Sequence, residues 1–158
     1  MKATEANIRT YATLDFAEQW GRLNDTIIGL VDYVPDDKLD WSPREDLWGF
    51  RTILSHISST RQNWLTADGA DREEALATVK SKDDVKARLR QSWLRVERFL
   101  SEQRYLDRVY EGSRGGIDYR YSGHWIAFHL LEHDVHHRSD IFHYLAALKI
   151  EHPEVETP

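Results

Sequence analysis

The sequence predicts an all-α fold, an antiparallel four-helix bundle. Apolar residues recur at spacings of three and four along four long segments, the pattern of a buried helical face. Capping residues and helix breakers stand at the ends of those segments, and the connections suit helices packed side by side. The chain has 158 residues, 41% of them hydrophobic, enough for one domain (1–158) with a real core. No internal repeat or low-complexity segment divides it.

In the first segment Phe16, Trp20, Leu23, Ile27, Leu30 and Val34 form the stripe, which ends at Pro35 and two aspartates. A long connection follows, DYVPDDKLDWSPREDLW, in which Trp41-Ser42-Pro43 and Trp48 are expected to fold as an aromatic plug over one end of the bundle. The second helix is expected from Trp48 to Leu65, with Phe50, Ile53, Leu54, Ile57, Trp64 and Leu65 on one face. The polar stretch TADGADREEALATVKSK leaves room for a short helical turn. Ser81 and Asp84 have capping-box spacing and open a third helix with the stripe Val85, Leu89, Trp93, Val96 and Leu100. Ahead of the fourth helix, Val109 and Tyr110 are expected to pair across Gly115-Gly116 with Tyr119 and Tyr121 in a small hairpin. Ser122 caps the fourth helix, which runs from Trp125 to Leu148.

Composition excludes several function classes. With no cysteine there is no disulfide, zinc–thiolate site or cysteine nucleophile, so a bound metal must be held by nitrogen and oxygen. A formal charge of −6 argues against a general nucleic-acid binder, which needs a basic face. No apolar run has the length of a membrane span, and the N-terminal stretch lacks the apolar core of a signal peptide. The expectation is a cytoplasmic protein that engages neither nucleic acid nor membrane.

The chemistry is concentrated in the fourth helix. Its stripe reads Ile126, Leu130, His133, His137, Ile141, Tyr144, Leu148, passing through two imidazoles where packing calls for apolar groups. Residues four apart lie one above the other, so His133 and His137 can converge on one ion. His56, beside the apolar stripe of the second helix, is the third candidate. Three neutral imidazoles leave at least one coordination position open, the arrangement of a catalytic metal site. Imidazole accepts zinc, nickel, iron, manganese or cobalt.

Other residues carry weaker expectations. His129, one turn before His133, can line the same cavity; Asn63 can face it; Arg61 interrupts a core stripe and calls for an acidic partner or an anionic ligand. His136 and His143 lie off the central line, and His124 and His152 at the ends. The run His133-Asp134-Val135-His136-His137 is similar to H-E-x-x-H with aspartate for the general-base glutamate, but the shorter carboxylate reaches a metal-bound water poorly.

Two tracts, DDKLDWSPREDLWGFRTILSHISSTRQNWL and HLLEHDVHHRSDIFHYLAAL, make the chain resemble the DinB/YfiT-like family of metal-binding four-helix bundles over nearly its whole length. The resemblance implies a metal triad of one histidine on the second helix and two on the last, matching His56, His133 and His137. It implies a divalent cofactor, zinc or nickel foremost, and frequently a homodimer. For some members it implies S-transfer chemistry with a low-molecular-weight thiol as partner; hydrolysis and non-enzymatic, stress-associated ligand binding are the alternatives. One departure stands out. A Gly-Gln pair commonly follows the His-His-Arg run, whereas Ser139-Asp140 follows Arg138 here, so Asp140 can tune His137 or join the metal.

Overall fold

The first turn of each long helix exposes unpaired backbone N–H groups, and the residues just before it supply the acceptors. Asp15 accepts from the Glu18 amide at 3.0 Å and opens α1, Phe16–Tyr33. Ser81 and Asp84 form a reciprocal capping box at the start of α3, Lys82–Ser101. Ser122 accepts from the Trp125 amide at 3.1 Å and opens α5, Gly123–Ala147. The remaining long helix, α2, Phe50–Leu65, has its start served by the preceding loop: Phe50 and Arg51 donate their amides to the carbonyls of Trp41 and Leu39. The computed structural model describes residues 15–65 and 79–152. The helical turn expected within TADGADREEALATVKSK falls mostly on residues outside that range.

The main helix contacts are α1 with α3 and α5, and α2 with α3 and α5. Helices α1 and α2 are therefore diagonal partners in the bundle, and the chain between them must cross its end. That crossing explains the long connection. It contains one 3-10 turn, Asp36–Lys38, and is tied down by the Arg51–Asp40 ion pair. A Cβ on Gly49 would come within 2.5 Å of the Asp40 carbonyl oxygen, so glycine is what lets the loop lie against the start of α2. This contact also sets the boundary. The second helix begins at Phe50, two residues later than expected, and Trp48 is left on the loop.

The second crossing, from α3 to α5, carries a short helix that the spacing does not predict, α4, Gln103–Asp107. At five residues it is too short to show a periodic stripe. It packs on the start of α5, where a Cβ on Gly123 would lie 2.0 Å from the Tyr105 carbonyl oxygen. The expected hairpin follows as β1, Val109–Arg114, and β2, Ile117–Ser122. Gly115 and Gly116 both have positive φ, 61° and 78°, as a two-residue hairpin turn requires. The register corrects the expected pairing: Tyr110 faces Tyr121, but Val109 faces Ser122 and Tyr119 faces Gly112, because the tight turn dictates every partner beyond it.

The core agrees with the stripes. Trp20, Leu23, Ile27 and Leu30 of α1, Phe50, Ile53, Leu54 and Ile57 of α2, Val85, Leu89 and Val96 of α3, and Ile126, Leu130, Ile141 and Tyr144 of α5 are buried. Inside this apolar surround lies a polar network that reaches every long helix. Arg61 of α2 and Asp134 of α5 are both 0% exposed and form an ion pair at 2.6 Å. Asp134 Oδ2 also accepts from Arg61 Nε at 3.0 Å and from the Trp20 indole N–H of α1 at 2.7 Å. Arg61 Nη1 donates to Asn24 Oδ1 of α1 at 2.8 Å and to Ser92 Oγ of α3 at 3.4 Å. The acidic partner that Arg61 calls for is thus Asp134, and with no exposed surface Arg61 has no room for an anionic ligand.

A buried ion pair broken on one side leaves an unpaired charge in low dielectric, at a cost of about 3–5 kcal/mol. Arg61→Met and Asp134→Leu should each lower unfolding free energy by about that amount, whereas the double replacement should recover much of the loss, because no charge is left stranded. Urea unfolding of the four proteins checks this. Additive losses in the double variant would contradict it.

Candidate metal centre

His56 lies in the middle of α2, five residues before Arg61; His133 and His137 lie on α5, flanking Asp134. The Arg61–Asp134 pair fixes how α2 and α5 are rotated against one another, and that rotation turns the three imidazoles together. Ring centroids are 4.9 Å apart for His56 and His133, 5.1 Å for His56 and His137, and 4.5 Å for His133 and His137. One ring nitrogen from each residue lies within 4.8 Å of the others, a group that can hold a metal ion.

The donor set fits a divalent ion on two further counts. Both ring nitrogens of His133 are buried without a hydrogen-bond partner. An imidazole so placed is costly unless something else fills the vacant lone pair. His137 has its Nδ1 at 3.0 Å from Asp140 Oδ2. A carboxylate accepts, so Nδ1 donates, and Nε2 is the nitrogen left for a ligand. Asp140 therefore orients a member of the triad, the tuning role that its position three residues after His137 suggests.

Electrostatics keep the group ready to coordinate. Burial, followed by the neighbouring His133 and His137 charges, lowers the His56 pKa to about 4. Burial and His133 also lower His137, against the opposing pull of Asp140. Both are neutral at pH 7, as ligation requires.

Trp48, displaced from the start of α2, lies against the centre. Its ring is 4.8 Å from His56 and stacks at 6.4 Å on His137, yet half of it is exposed. It flanks the site on the loop side. Trp41 does not: it stacks on Phe50 at 6.1 Å and meets Tyr144 edge-on at 6.0 Å, so it belongs to the core.

The remaining candidates separate cleanly. His129 stacks on Trp125 at 5.0 Å and meets Trp64 at 5.2 Å, outside the triad, and burial followed by the His133 charge lowers its pKa. Asn63 is exposed. His124 and His143 are exposed, and His152 packs on Phe142. Asp134 is the residue that the stripe hid. Leu130, Asp134, His137 and Ile141 have helical spacing as good as the line through His133, and it is Asp134 that is wholly buried while His133 sits at the edge. Held by Arg61 and Trp20, Asp134 is no general base, and the H-E-x-x-H likeness ends there.

A family model described as the DinB family matches residues 6–157. No curated protein matches significantly. Among solved structures, a protein of Exiguobacterium sibiricum described as a member of the DinB family superposes with a TM-score of 0.70 at 19% identity, covering 92% of this chain and 99% of that one. A DinB-like protein from Bacillus cereus gives 0.68 at 17% identity over 92% and 99% of the two chains. One from Bacillus subtilis gives 0.64 at 15% over 90% and 94%. At these identities the likeness concerns the fold. Since the family model spans all but the ends of the sequence, the chain belongs to the DinB family.

Proposed function

We propose that the protein is a metal-dependent enzyme of the thiol S-transferase or hydrolase type, with His56, His133 and His137 holding one divalent ion, zinc or nickel foremost. The observation that carries this reading is the meeting of three imidazoles from two helices around His133, whose two ring nitrogens are buried without a hydrogen-bond partner. A divalent ion in this position supplies a Lewis acid that lowers the pKa of a bound thiol or water. The chain's own groups do the rest. Asp140 holds the proton on His137 Nδ1, and Trp48 shields His56 and His137 on the loop side while leaving an approach from solvent. A low-molecular-weight thiol is the substrate class that fits an open position beside an aromatic wall. A homodimer completes the reading: Phe128 and Val135, seven residues apart on α5 and exposed, offer an apolar strip on which a second copy can pack.

Three outcomes are expected. Purified protein should carry close to one divalent ion per chain by elemental analysis, and His56→Ala or His133→Ala should weaken retention by more than the about 10–100-fold typical of losing an outer-shell contact. A screen of several thiols against electrophiles, and of simple hydrolysable esters and amides, should give turnover that chelation abolishes. Metal uptake without any turnover would support a non-enzymatic metal-binding protein, and no uptake would contradict the metal centre.

Acid should weaken the metal-free fold by a defined route. Folded His56 takes up its proton near pH 4, whereas an unfolded histidine does so near about 6.5. Between those values the unfolded chain binds more protons, so the stability contributed by neutral His56 is complete above about pH 6.5 and lost as pH falls to about 4. His137, shifted the same way, adds to this loss. Thermal unfolding across that range checks it, and His56→Gln should flatten the profile.

A further inference from the structure

We propose that His136, His137 and Asp140 form an outer metal station through which the divalent ion reaches the triad of His56, His133 and His137. This rests on the metal centre proposed above and adds a function for His136, which that centre does not use. The three residues offer ligand atoms within 4.8 Å of one another, and they share His137 with the inner group. Asp140 Oδ2 lies 3.0 Å from His137 Nδ1 and 3.7 Å from His136 Nε2, and the two imidazole centroids are 4.9 Å apart. Two imidazoles and a carboxylate are a donor set suited to zinc or nickel.

Burial gives the pair of sites a direction. The side chains of His136 and Asp140 are 69% and 35% exposed, whereas those of His133 and His137 are 14% and 10%. On the loop side Trp48 covers His56 and His137. The turn of α5 that carries His136 and Asp140 is more exposed than His137, and it presents a carboxylate to an approaching cation.

The shared ring makes the two stations alternatives. A neutral imidazole has one unprotonated nitrogen, so His137 ligates through Nδ1 or through Nε2, not both. In the outer station Nδ1 is the donor and Nε2 carries the proton. In the inner group Nε2 is the donor, and the proton sits on Nδ1, facing Asp140. Passage inward exchanges the tautomer with no net change in protons on the ring, and the hydrogen bond to Asp140 then favours the inner position.

A route of this kind affects rates rather than the final equilibrium. Nickel(II) mixed with metal-free protein in a stopped-flow instrument, followed by tryptophan fluorescence, measures loading; a chelator chase of the loaded protein measures release. His136→Ala should slow both by about tenfold, the lower range of what local capture adds to association rates, and leave the dissociation constant within about twofold. His136→Glu, which restores a ligating group, should recover most of the speed. Loading and release at native rates in His136→Ala would overturn the proposal, as would a weaker affinity with unchanged loading, or failure of His136→Glu to rescue. Native protein that takes up no nickel would instead overturn the metal centre itself.

Discussion

The ion pair between Arg61 and Asp134 is the constraint on which the rest of this structure depends. Both groups lie in the centre of the bundle with no exposed surface, where a carboxylate or a guanidinium alone would be severely penalised. Each is tolerable because the other faces it and because Trp20, Asn24 and Ser92 take up further hydrogen-bonding capacity. Apolar packing alone permits helices to slide or turn by small amounts with little change in buried area. A buried fork of directed hydrogen bonds does not, so α2 and α5 have one rotation and one register.

The histidines inherit that precision. His133 is the neighbour of Asp134 in sequence, His137 follows three residues on, and His56 lies less than two turns from Arg61 on the opposing helix. A polar clamp therefore stands directly behind a polar site, and the two share a helix surface that would otherwise be apolar. Asp134 Oδ2 accepts from Trp20 and from Arg61, whereas Asp134 Oδ1, 3.9 Å from His133 Nδ1, and both His133 ring nitrogens are buried without a hydrogen-bond partner. Burial also lowers the pKa of His56 and of His137, which favours the neutral imidazoles that holding a metal ion would require.

Contact, not period, decides the features of this fold that the sequence does not display. The four long helices are legible because each buries a continuous stripe, and the three histidines because they stand in or beside such stripes. Arg61 is legible as a residue in want of an acid. Asp134 is not, since Leu130 to Ile141 can be threaded through either His133 or Asp134 at equal helical spacing, and only the Arg61 contact tells which one points inward. Trp48 reads as helical until the approach of Asp40 to Gly49 is known, and that approach is what frees the indole to lie over the imidazoles. The short α4 and the hairpin partners depend in the same way on neighbours distant in sequence.

Extended X-ray absorption at the metal edge of the loaded protein tests the central claim most directly, because it counts and identifies the atoms around the ion. If the clamp presents His56, His133 and His137 as ligands, zinc-loaded protein should show about three imidazole nitrogens at about 2.0–2.1 Å plus one lighter, exchangeable ligand. The imidazole signal should drop by one in His56→Ala. A shell made of carboxylate and water oxygens, or one unchanged by His56→Ala, would contradict the account.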